Sequence, residues 1–139
     1  MTSTHDMMSP LFPYSETTLD VTVRVAVTYF ADQSDPDLGK WFWTYHIRIE
    51  NGRPAPVQLL MRHWTIADGR GALYRREGRG VVGEEPVIQP GAAYDYVSGC
   101  PLTTPTGWME GVYSMLEGGG GMIDVRIPRF PLIGPAVSS

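Results

Sequence analysis

The chain has 139 residues, 42% of them hydrophobic and 19% charged, with a formal net charge of −4. A single domain of this size can bury a core without metal or disulfides, and the composition is that of a globular chain rather than a disordered or membrane-embedded one. The acidic balance supplies no basic footprint for nucleic acid or an anionic membrane, and Cys100, the single cysteine, leaves no intrachain disulfide to form.

The first 18 residues are polar, contain Pro10 and Pro13, and read as a mobile or extended arm ahead of one domain at residues 19–132 and a short tail at 133–139. No basic flank followed by an apolar run occurs near the start, as a signal or transit peptide would need, so a cytoplasmic location is expected. The 16 glycines and 12 prolines are scattered between apolar runs, which predicts many turns and many short strands. Val21, Val23, Val25 and Val27 alternate with polar or small residues, the period of a strand with one buried face, over residues 21–30. Residues 31–39 carry turn chemistry. In residues 41–50, Trp41, Trp43, Tyr45, Ile47 and Ile49 occupy one parity and are expected to face the core.

Residues 57–67 form a third strand with apolar groups on both parities, which reads as a strand buried on both sides. Short strands are expected at 72–77, 87–88 and 93–98. A longer one follows at 107–116, and a tip of four glycines, Gly118 to Gly121, leads to a last strand at 122–127. The whole predicts an all-β fold, an antiparallel β-sandwich with Greek-key connections.

Few motifs carry chemistry. Gly78, Gly80 and Gly83, with Arg79 between the first two, match the G-x-G-x-x-G spacing that cradles a pyrophosphate when a helix opens behind it. Here Glu84, Glu85 and Pro86 follow at once, so a bent strand needing glycine dihedrals is the expected reading, with a phosphate or pyrophosphate ligand as the alternative. Asp32, Asp35 and Asp37 are weak candidates for a divalent cation, against a solvated turn. Arg62-His63-Trp64 places cationic, titratable and aromatic groups in succession, with Trp64 expected in the core. Cys100 has no base beside it and is expected as a small apolar residue at a corner.

Taken together, Pro56-Val57-Gln58-Leu59-Leu60 with Arg62-His63-Trp64, Gly80-Val81-Val82-Gly83-Glu84 with Pro86 and Pro90-Gly91, Ser98-Gly99-Cys100-Pro101-Leu102, and Met109 with Gly111 and Tyr113 closely resemble the ApaG family. The likeness spans roughly residues 19 to 132. It implies a fibronectin-type-III-like or immunoglobulin-like sandwich and an association with cobalt resistance and magnesium efflux. It also implies that the glycine spacing is part of the family pattern. The expected function is non-enzymatic binding of a protein partner, without a cofactor, nucleic acid or membrane. Phe42, Arg48, Arg62, His63 and Trp108 are the candidate interaction surface, being of types enriched in binding hot spots.

Overall fold

The computed structural model describes residues 10–135, and these contain nine strands and two short 3-10 turns. The strands are β1 (Tyr14–Thr18), β2 (Val21–Tyr29), β3 (Trp41–Asn51), β4 (Val57–Asp68), β5 (Leu73–Arg79), β6 (Val87–Ile88), β7 (Ala93–Leu102), β8 (Thr106–Glu117) and β9 (Met122–Ile133). One sheet has the order β1-β2-β3-β7, and the other β5-β4-β8-β9, with β6 pairing β4. Every pairing is antiparallel. With β1 set aside, β2-β3-β7 facing β5-β4-β8-β9 is the strand order of a fibronectin-type-III-like sandwich, as the sequence predicts. No helix among the described residues is long and apolar enough to cross a membrane.

The alternation read in β3 is realised directly. Trp43, Tyr45, Ile47 and Ile49 are buried, and so are Val21, Val23 and Val25 on β2. Trp64 of β4 lies between Tyr45 and Phe130, its ring 5.4 and 6.1 Å from theirs. The Tyr96 and Tyr113 hydroxyls bond to each other across the two sheets, which lets two polar groups share the core.

Three expectations need correction. Tyr14–Thr18 is not a free arm but strand β1, paired along its length with β2, and Phe12 is buried against the His46 ring; residues 1–9 lie outside the described part. The mixed parity of residues 57–67 does not mean burial on both faces. A bulge at Leu60 shifts the register between Leu59 and Met61, so the core-facing set changes from Val57 and Leu59 to Arg62, Trp64 and Ile66. Cys100 is inside β7 opposite Trp43, not at a corner, because β7 runs on to Leu102.

Candidate functional site

The two long flanks of the sandwich differ. On one, β1 meets β9: Arg126 pairs with Glu16 at 3.1 Å, its backbone N–H donates to the Thr18 hydroxyl, and Tyr14 packs on Phe130. On the other, β5 and β7 are the terminal strands of their sheets and no ladder joins them. Between them lies a groove of about 470 Å³. Trp41, Ile66, Cys100 and Leu102 give it apolar walls, and Tyr74, Arg76 and Lys40 stand at its rim. A second cleft of about 300 Å³ continues along the same flank, where Arg62, Arg79, Val82, Tyr45, Tyr96 and Ser98 converge.

The groove follows from register. Ile66, Trp64 and Arg62 face inward on β4, and their partners on β5 are Tyr74, Arg76 and Gly78. Those three have inward parity but overhang the facing sheet, so β5 is exposed at every position except the half-buried Gly78. Asp68, at the end of β4, does not compete for a ligand. Burial works against its charge, but the N–H groups of Ala72 and Arg70 at 3.0 and 2.9 Å and the Tyr74 hydroxyl at 3.2 Å hold its carboxyl below the ordinary range.

The glycine segment builds one wall of the second cleft. Gly78 leaves room for Arg62: a Cβ there would sit 2.6 Å from the guanidinium. That guanidinium donates to the carbonyls of Arg79 and Gly80 at 2.9 and 2.8 Å. Gly80 has φ +59°, and a Cβ on it would meet the Glu84 carbonyl oxygen at 2.0 Å. Val81 and Glu84 exchange two backbone hydrogen bonds, closing a two-residue turn whose central residues Val82 and Gly83 have φ 44° and 82°, the signs of a type I′ turn. The segment that follows holds the short strand β6 and no helix. The N–H groups of Gly80, Val81 and Glu84 are bonded to carbonyls of the protein, so they do not converge on an anion.

The other candidate residues do not share a surface. Phe42 and Arg48 project from the outer side of the first sheet; Phe42 lies over Gly99 and borders the groove beside Trp41, whereas Arg48 pairs with Glu50 and Asp95 away from it. His63 and Trp108 project from the outer side of the second sheet, and Arg129 stacks over the Trp108 ring at 3.7 Å. Arg62 points inward. A single sheet face carrying all five is therefore not what the fold builds, because two sheets and the Leu60 bulge send neighbouring residues to opposite sides.

Asp32 and Asp37 are exposed in the two 3-10 turns and Asp35 is exposed just before the second, and no three His, Cys, Asp or Glu groups among the described residues come close enough to hold a metal ion.

His63 forms a relay that its neighbours in sequence do not reveal. Its Nδ1 is 2.9 Å from Glu77 Oε2 and its Nε2 is 3.0 Å from Ser114 Oγ. The atoms match a base-assisted nucleophile, but Ser114 also bonds to Asp124 and sits on an open sheet face where its neighbours' backbone N–H groups serve the ladder rather than converging on one point. Cys100 is no better a nucleophile, since burial pushes its thiol up to about 11.

Sequence reasoning missed the groove residues Tyr74 and Arg76. The available signal was β5 itself, Leu73-Tyr74-Arg75-Arg76-Glu77, where neither parity is apolar throughout; such a strand cannot be covered on both faces.

Comparison with known proteins bears on the same residues. A family model for the ApaG domain matches residues 31–117. Protein ApaG of Rhodospirillum centenum is 47% identical over 122 residues, covering 88% of this chain and 94% of that protein. Protein ApaG of Caulobacter vibrioides is 46% identical over 119 residues, covering 86% and 85%. Among solved structures, the ApaA protein from Bordetella pertussis superposes with a TM-score of 0.81 at 39% identity, over 87% of this chain and 98% of that one. The C-terminal domain of wzt, at 11% identity and a TM-score of 0.54, shares the fold alone. With the family model, these relatives and the superposed sandwich in agreement, the chain belongs to the ApaG family.

Proposed function

We propose that this protein is a non-enzymatic, cytoplasmic binding module that receives a protein partner in the groove between β5 and β7. One observation carries the reading: the sandwich is closed at β1–β9 but left open at two unpaired edge strands, over an apolar-walled groove of about 470 Å³. Exposed edges are usually blunted or covered, and a concave apolar strip with a few polar groups at its rim is the usual form of a docking site. The association with cobalt resistance and magnesium efflux that the family resemblance implies runs, in this reading, through the partner rather than through an ion held by this chain.

Site-specific photocrosslinking tests it. Benzoylphenylalanine at Tyr74, on the groove rim, is expected to trap a partner protein in living cells, while the same probe at Thr44, on an outer sheet face, traps none. Adducts at Thr44 with none at Tyr74 would move the function to another surface.

A further inference from the structure

The cations of this chain divide into two groups. Six arginines, Arg24, Arg48, Arg53, Arg79, Arg126 and Arg129, are paired with carboxylates. Lys40, Arg62, Arg70, Arg75 and Arg76 form no ion pair among the described residues, and all five lie at the start of β3 or on the β4–β5 hairpin. In a protein of net charge −4, the five cations outside these ion pairs are thus gathered on one hairpin and the start of β3, and Lys40 and Arg76 face the groove.

The free edge of β5 supplies a second constraint. Its seven residues contain no proline and are almost entirely exposed, so its outward N–H and C=O groups are open to another strand. Because side chains alternate along a strand, a chain added there would send one set into the groove, against Ile66, Trp41 and Leu102, and the other set outward beside Arg75.

Resting on the docking groove proposed above, we infer that the partner presents an extended segment of about six residues in which apolar side chains alternate with Asp or Glu, and that this segment adds to β5 as a further strand. The apolar side chains fill the groove, the aliphatic stems of Arg76 and Lys40 flanking them at its rim, and the outward carboxylates meet Arg75, with the Arg76 and Lys40 charges adding longer-range attraction. A row of arginines on an edge strand can also serve to keep copies of one protein apart. That role needs no apolar channel behind the arginines, and here there is one.

The test uses fluorescence anisotropy with three labelled eight-residue peptides. One alternates Glu with Leu or Phe, one has Lys in place of Glu, and one is the acidic peptide with alternate backbone amides N-methylated. The acidic peptide is expected to bind the intact protein, with affinity falling as salt rises. The Lys peptide and the N-methylated peptide are each expected to bind at least about tenfold more weakly. Arg75→Glu with Arg76→Glu should weaken the acidic peptide by about tenfold or more, and both side chains are exposed, so thermal unfolding of the variant should match that of the parent.

Equal binding of the acidic and Lys peptides overturns the charge assignment, and undiminished binding of the N-methylated peptide overturns strand addition. No binding by any peptide overturns the inference while leaving the groove itself to stand or fall on the Tyr74 crosslink.

Discussion

Val82 is the residue where backbone and side chain disagree most. It sits at φ 44°, over half exposed, at the first central position of a type I′ turn, where asparagine or glycine is the usual occupant. A β-branched residue in left-handed geometry is strained by about 1–3 kcal/mol. Val82→Asn is therefore expected to raise stability by about 1 kcal/mol, read as a higher urea midpoint at unchanged slope. An unchanged or lower midpoint would show that the turn is not strained. The side chain that carries this strain also borders the cleft of Arg62 and Arg79, so a gain in stability accompanied by loss of the Tyr74 crosslink would tie the strain to binding.

At the scale of elements, β1 shields the edge of β2 and ties it to β9 through Glu16 and Thr18. A chain beginning at Leu19 loses those contacts and the packing of Tyr14 on Phe130, and leaves the valine-rich β2 as an unpaired edge. We expect it to be less stable by several kcal/mol and to aggregate in light scattering, where the full chain does not. An equally stable and soluble truncation would return these residues to the role of an arm.

That contrast also marks how far the sequence could be read. Strands β2 and β3 were legible because each has one buried parity, and the turn at Gly80–Gly83 was legible because glycine and proline punctuate it. Strand β1 was not, since Ser15, Glu16, Thr17 and Thr18 are polar and gain their place only by pairing. The inward position of Arg62 was hidden by the Leu60 bulge, which reverses parity without a residue that announces it. The groove was hidden because it depends on which strands end the two sheets, a property of topology rather than of any local run.

For the molecule as a whole, four acidic protons are held inside the sandwich among the described residues. Burial raises the thiol of Cys100 to about 11 and raises the hydroxyls of Tyr45, Tyr96 and Tyr113 above their ordinary value. The unfolded chain therefore releases these protons first as pH rises, the thiol near 9 and the phenols near 10, while the folded protein keeps them. The stability they contribute is complete below those values and declines above them, by roughly 1.4 kcal/mol per pH unit for each group in its window. Guanidinium denaturation between pH 9 and 10 should show a downward slope that Cys100→Ala reduces by about half, the buried phenols supplying the rest, whatever its effect on stability at pH 7. An identical slope in the variant would exclude the thiol as the source.

The open flank has a thermodynamic corollary. The groove exists only when β5 and β7 are brought to the same side of a finished sandwich, so an occupant recognises the native state and not the denatured chain. Mass action then makes occupancy a form of stabilisation: about 2.7 kcal/mol at a ligand concentration one hundred times its dissociation constant. Heat resistance thereby becomes a gauge of saturation, and the melting temperature rises with the concentration of whatever completes the sandwich's unlaced side.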